Sequence, residues 1–202
     1  MKLYTTTRSP FGRKVYLMAI EKGLKGSIEL VMEDLKNRSS ALLKNNPLGL
    51  VPVLVLDNGE TVFDSSVIAD YIDEMNDSPK LIPSLNPQRT KVLKLSALAD
   101  GMVENAVFIF YENLKASNKQ PFDEAKTKRC YDTLERCLKA LEKEVDNFGR
   151  TLDMAQIAAF SALGYINFRI NNLGWEKNNP KLAKWFTEFS KRPSAIETMP
   201  KD

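Results

Sequence analysis

The hydrophobic period of this chain changes at a single place, and that change limits the fold more than any other feature. Before residue 76, short apolar runs of strand type alternate with helical patterns. Beyond residue 88 the apolar positions recur every three or four residues. Between them, Asn76 to Gln88 carries Pro79, Pro83 and Pro87 and has no period, which predicts a linker. The expected organisation is an α/β domain over residues 1–77, a linker over 78–88 and an all-α helical bundle over 89–202.

Within the first part, Lys2 to Thr6 reads as a strand. Phe11 to Lys22 reads as a helix with Val15, Met18 and Ala19 on one face and Gly23 ending it. Ile28 to Met32 predicts a second strand, Asp34 to Asn46 a short irregular helix, and Val51 to Leu56 a continuous apolar strand. Asn58-Gly59 favours a tight hairpin into Thr61 to Phe63. Asp64-Ser65-Ser66 then caps a helix from Val67 to about Met75, giving the order β-α-β-α-β-β-α. In the second part, helices are expected from Arg89 to about Lys115, Asp123 to Asn147, Asp153 to Arg169 and Pro180 to Ser190. Asp153 with Gln156 has capping-box spacing.

Composition excludes several kinds of chemistry. The chain has no histidine, which removes Ser–His and Cys–His nucleophile pairs, imidazole bases and histidine metal sites, so no metal is expected. A net charge of +3 with basic and acidic residues interspersed gives no support for nucleic-acid binding. No apolar run is long enough to span a bilayer, and Arg8 and Arg13 interrupt any signal-peptide core. The expected location is the cytoplasm. Cys130 and Cys137 stand seven apart in a helical pattern, roughly 10 Å along the axis, too far for a disulfide. They read as packing residues in a reducing compartment.

Three short stretches have the residue types for binding. Ser9-Pro10 opens the first helix, with Ser9 at the N-cap and Pro10 at the first helical position. Unpaired N–H groups and the helix dipole favour an anion there, and a serine hydroxyl can donate to a thiolate, carboxylate or phosphate. The same pair also makes a plain cap, and the motif alone leaves both roles open. Pro52 lies inside an apolar strand, where it removes a ladder donor. Either it is an ordinary trans proline opening the strand, or a cis Val51–Pro52 bond turns the backbone of Val51 outward to meet an extended ligand. Asp64-Ser65 is a second polar helix start, suited to the ammonium and carboxylate of an α-amino acid, and equally to a cap without further function.

In this fixed order the stretches resemble a known family. Ser9-Pro-Phe-Gly-Arg-Lys-Val15, Asn46-Pro-Leu-Gly-Leu-Val-Pro-Val-Leu54 and Asp64-Ser-Ser-Val-Ile-Ala-Asp-Tyr-Ile72 are similar to glutathione S-transferases. Ile157 to Arg169 resembles the family's core helix and Lys191-Arg-Pro-Ser194 its terminal segment, so the resemblance covers essentially the whole chain. It is nearest to small bacterial members whose first helix opens with Ser-Pro-Phe. The resemblance implies a thioredoxin-like first half and a helical second half, with glutathione as co-substrate, a small electrophile as acceptor, detoxification as the role and a homodimer as the assembly. It implies that Ser9 donates to the glutathione sulfur and Phe11 packs beside the tripeptide. Val51, before a cis Pro52, would pair with the cysteinyl backbone, while Asp64 and Ser65 hold the γ-glutamyl end.

The chain departs from the family pattern in places. Leu50 stands where members often carry Lys, Arg or Gln toward the glycyl end, and Lys36 is the possible substitute. The core helix opens with Asp153 and Gln156 in place of Ser/Thr-x-x-Asp; Gln156 is expected to reach back to the cap. Ser9 occupies the position of the cysteine of reductive members, which disfavours disulfide exchange. An acceptor pocket between the halves would draw on Asp100, Met102, Val103 and Glu104. Asp100 is alternatively a contact to a neighbouring subunit's γ-glutamyl group, and Met102 and Val103 are equally suited to core packing. Two other functions fit the same motifs: a binding or regulatory protein with little turnover, and a glutathione-dependent peroxidase or isomerase.

Overall fold

Four short strands make one mixed sheet in the order β2-β1-β3-β4: β1 Lys2–Thr5, β2 Glu29–Met32, β3 Val53–Val55 and β4 Thr61–Val62. The computed structural model describes residues 1–149 and 151–202. Strands β1 and β2 run parallel with Leu3 opposite Leu30, whereas β3 is antiparallel to β1 (Leu3 opposite Leu54) and β4 is antiparallel to β3. Leu3, Val53 and Leu54 are buried, while the edge strand β2 leaves Met32 exposed.

Helix α1 (Pro10–Glu21) follows β1, α2 (Ser40–Asn45) follows β2, and α3 (Ser65–Glu74) follows β4. Helices α1 and α3 pack against each other, and Val15, Leu17, Met18 and Ala19 of α1 and Ile68, Ala69 and Ile72 of α3 are buried. Glycine is required at two places on α1. Gly23 takes φ +72°, and Gly23 N–H donates to Ile20 (2.9 Å) while Leu24 N–H donates to Ala19 (2.8 Å), a Schellman stop. At Gly12, an added Cβ would lie 1.9 Å from Thr5 Oγ1, so only glycine lets the first turn of α1 rest on the end of β1.

The proline-rich segment is fastened to this unit. Leu81 and Ile82 are buried, and their N–H groups donate to the Asp73 carboxylate at 2.8 and 3.0 Å. By contacts, one unit comprises Met1–Arg89 with Pro193–Asp202, and the other Thr90–Arg192. Periodicity groups residues 193–202 with the helices before them, but polar contacts tie them to α1. The Arg13 guanidinium donates to Ala195 O (3.2 Å) and Thr198 Oγ1 (3.4 Å). Lys25 pairs with Glu197 at 2.7 Å, and Ser194 Oγ donates to Glu21. A short helix α8 (Pro193–Glu197) carries several of these partners.

The second unit is helical: α4 (Gln88–Ser117, entering from the first unit), α5 (Glu124–Glu144), α6 (Met154–Arg169) and α7 (Pro180–Phe189). All of α6 from Met154 to Ile166 is buried, and Phe160 stacks on Phe186 and Phe189 of α7 (centroids 5.0 and 4.4 Å). Asp153 caps α6, accepting from Gln156 N–H at 3.0 Å. The reciprocal half of the predicted box is replaced, since Gln156 Nε2 donates to Thr151 O at 2.9 Å. Cys130 and Cys137 are free thiols, and burial raises the pKa of both, which disfavours the thiolate. No helix among the described residues is long and apolar enough to cross a membrane.

Candidate functional site

Strand direction alone decides which of the three stretches meet. Because β1 and β4 are each antiparallel to β3, they point the same way. Helices α1 and α3, which follow them, therefore begin at the same end of the sheet. Strand β3 runs the other way and begins at that end: Tyr4 pairs with Val53, so Val51 and Pro52 continue beside Thr5 and Thr6. Strand β2 is parallel to β1 and ends there too, four residues before Lys36. One edge thus gathers Ser9 and Phe11, Lys36, Leu50-Val51-Pro52, and Asp64-Ser65.

Ser9 is the N-cap of α1, with extended φ −72° and ψ 117°, and Pro10 opens the helix. The serine Oγ accepts from Gly12 N–H at 3.0 Å. This uses a lone pair and leaves the hydroxyl proton to be donated elsewhere, so capping and ligand contact are compatible. Phe11 is half-buried, with Lys14 Nζ 5.8 Å from its ring centre.

The Val51–Pro52 bond is cis, and among the described residues the N–H and C=O of Val51 have no hydrogen-bond partner. The loop before it is organised by Asn46, a buried residue whose importance neither periodicity nor spacing signals. Its Nδ2 donates to Leu50 O (2.9 Å), its Oδ1 accepts from Leu48 N–H (3.0 Å), and its own C=O accepts from Gly49 N–H (2.8 Å). Gly49 takes φ +63° to complete this turn. Leu50 itself is 53% exposed. Lys36 is exposed, on a turn closed by its own N–H donating to Asp34 Oδ1 at 2.9 Å. That bond and one from Asn37 hold the Asp34 carboxyl below the usual range.

Asp64 caps α3 and accepts from Ser66 N–H at 3.0 Å while remaining exposed. Ser65, the first helical residue, is buried at 3% exposure. First-turn N–H groups lack intrahelical acceptors, so this end favours negative charge beside a carboxylate that favours a cation.

A cavity of about 130 Å³ adjoins Ser9 on another face of α1, with Gly12, Arg13 and Tyr16 in its wall. At 100° per residue Phe11 points nearly opposite to this face, and none of Phe11, Val51, Asp64 and Ser65 lines the cavity. Burial lowers the Arg13 pKa to about 10. In the second unit, Met102 and Val103 of α4 are buried, which suits packing. Asp100 is half-buried and Glu104 is exposed. Among the described residues no three His, Cys, Asp or Glu side chains form a metal-binding group.

Comparison with known proteins matches residues 8–75 to the model of the glutathione S-transferase N-terminal domain and residues 123–188 to that of the C-terminal domain. The chain is 36% identical to the uncharacterized GST-like protein YibF of Escherichia coli, over 99% of this chain and 98% of that one. A glutathione transferase family member from Pseudomonas fluorescens, crystallised with bound glutathione, superposes with a TM-score of 0.94 at 36% identity, covering 100% and 99% of the two chains. A Methylobacillus flagellatus glutathione S-transferase with glutathione bound gives 0.91 at 31% identity, covering 99% of each.

Proposed function

Since the chain belongs to the glutathione S-transferase family, we propose that it binds glutathione at the sheet edge carrying Ser9, Val51 and Asp64-Ser65, and activates its thiolate to attack a small electrophile, joining the whole tripeptide to it through sulfur. The observation that carries this reading is the convergence of two helix N-termini and one unpaired extended backbone at a single edge. Asp64 and the first-turn N–H groups at Ser65 suit the γ-glutamyl ammonium and carboxylate. Val51 N–H and C=O suit the cysteinyl peptide, and Phe11 packs beside the tripeptide.

Catalysis then needs no general base. The thiol of free glutathione is a poor nucleophile at neutral pH, and the thiolate is the reactive form. The Ser9 hydroxyl donates to the sulfur at the positive end of α1 and stabilises the thiolate, while the proton goes to solvent. The Ser-Pro-Phe opening of α1 supports kinship with the small bacterial members. Lys36, exposed near the same edge, supplies the glycyl contact that Leu50 lacks. Exposed Val67 and Tyr71 of α3 and Met75 at its C-cap form an apolar stripe at four-residue spacing (53, 37 and 39% exposed), which supports a homodimer. Asp100 and Glu104 are the acceptor-side or cross-subunit candidates. Free thiols suit a reducing compartment such as the cytoplasm.

Titration calorimetry with glutathione tests the binding, and heat is expected at millimolar ligand. Its absence overturns the proposal. In Ser9→Ala, conjugation of a generic electrophile is expected to fall by about 10²-fold, as for loss of one donor to developing negative charge, with glutathione still bound. Undiminished conjugation would remove the role given to Ser9. The exposed Leu50 favours one second reading: a glutathione-binding protein with little turnover, for which calorimetry gives heat and no electrophile is consumed.

A further inference from the structure

The two helices that start at the proposed glutathione edge are tied together at their opposite ends. Lys22 is the C-cap residue of α1, and Asp73 lies in the last turn of α3. Their side chains are 0 and 1% exposed, with Lys22 Nζ 3.2 Å from Asp73 Oδ1. The ammonium also donates to the carbonyls of Asp73 (2.9 Å), Asn76 (2.7 Å) and Pro79 (2.7 Å). Asn76 returns a bond from Nδ2 to Lys22 O at 3.1 Å. The Asp73 carboxylate in turn accepts from Leu81 and Ile82 N–H. Both charges are thereby satisfied by partners on α1, α3 and the segment after α3.

We propose that Lys22 and Asp73 are positioning residues for the glutathione site, fixing the spacing of Ser9 and Asp64-Ser65 from the far ends of their helices. A buried ion pair adds little net stability compared with an apolar pair of the same shape, but its several directed bonds permit only one arrangement. The lever is short and stiff. With β1 and β4 pointing the same way, α1 and α3 run in the same sense. Their 12 and 10 residues span roughly 18 and 15 Å. A tilt of about 4° at the Lys22–Asp73 end moves an N-terminus by about 1 Å, and misplacement of that size costs on the order of 10²-fold in a reaction that depends on position. Glutathione would touch both N-termini and so report their spacing.

The inference rests on the glutathione reading, and one experiment separates the two. Glutathione affinity is measured by calorimetry on the full chain and on Lys22→Met, Asp73→Asn and Lys80→Met, below the temperature at which circular dichroism shows each to unfold. The ultraviolet absorbance of the bound thiolate is followed against pH. Lys80 is the control, because its ammonium contacts Asp73 O (3.2 Å), Glu74 (2.8 Å) and, more distantly, Asp73 Oδ2 (4.0 Å), all on α3, without bridging to α1. The expected result is a loss of about tenfold or more in affinity for folded Lys22→Met. Its bound-thiol pKa should rise toward that of free glutathione, with a smaller loss for Asp73→Asn and no change for Lys80→Met. A structural role alone would lower the melting temperature and leave the affinity and thiol pKa of the folded protein as they were. That result overturns the inference, and should Lys22→Met not fold, Asp73→Asn decides by the same two readouts. No heat with the unaltered chain overturns the glutathione reading, and this inference with it.

Discussion

Helices α1 and α6 begin with the same local device and use it differently. Ser9 accepts from the N–H three residues on at 3.0 Å, and Asp153 does so at the same distance. Asp153 opens a helix buried from Met154 to Ile166, and burial pushes its pKa up even though backbone bonds from Gln156 and Ala155 pull the other way. A carboxylate can only accept, so after capping α6 it has no proton to donate. Ser9 caps α1 and still holds a proton to donate, at an edge where backbone groups remain unpaired. The capping geometry therefore says little about function; what separates the two is the donor left over and the room around it.

Exchanging the chemistry of the two caps gives the largest effect. Ser9→Asp keeps an acceptor for Gly12 N–H but sets a negative charge where the thiolate belongs. Conjugation measured with a chromogenic electrophile is expected to fall by about 10²-fold or more, while the thermal midpoint moves little, since Ser and Asp cap about equally well. A large fall in the midpoint would show that Ser9 works mainly for the fold, and the contrast with Asp153 would collapse.

Gly12→Ala addresses the scaffold beneath the α1 cap. The new methyl meets Thr5 Oγ1, and a loss of about 1–3 kcal/mol is expected in urea melts. Adding Thr5→Ala to the same chain should restore part of it. Full stability in Gly12→Ala would mean that the first turn of α1 is free to move off β1.

The smallest effects belong to α6. Asp153→Ala should cost about 1 kcal/mol, and Asp153→Ser close to nothing near neutral pH, with glutathione affinity unchanged in both. The pH dependence has a definite sign. A carboxyl whose pKa is raised by folding binds its proton more tightly in the folded state, so its contribution is most favourable below the unfolded value of 3.8. That contribution is lost as pH rises from there through the folded pKa. Midpoints of Asp153→Ser relative to the unaltered chain should therefore rise across that window, and a flat difference would show that Asp153 is not desolvated.

Local pattern was enough to read the order of the strands and of helices α1 to α7, both caps and the Gly23 stop, because each is written within a short run of consecutive residues. The glutathione edge was also legible in outline, since Pro52 was out of place in a strand and two polar helix starts flanked it. What escaped were features joining distant residues of unlike type. No period marks Lys22 as the partner of Asp73, 51 positions on, nor Thr5 as the side chain that forbids a methyl at Gly12. Asn46 reads as an ordinary residue before a proline until its three bonds around the Leu50 loop are seen. Residues 193–202 follow the last expected helix and so fall within the expected bundle, although several of their partners lie on α1.

The contact of Arg13 with Ala195 and Thr198 spans 182 and 185 positions. At about 5–20 residues added per second, roughly 10–40 s separate the synthesis of Arg13 from that of its acceptors. Through that interval these two acceptors do not yet exist. In synthesis, then, an early helix is completed late: all of Thr90–Arg192 must be made before α1 can acquire its contacts to Ala195 and Thr198.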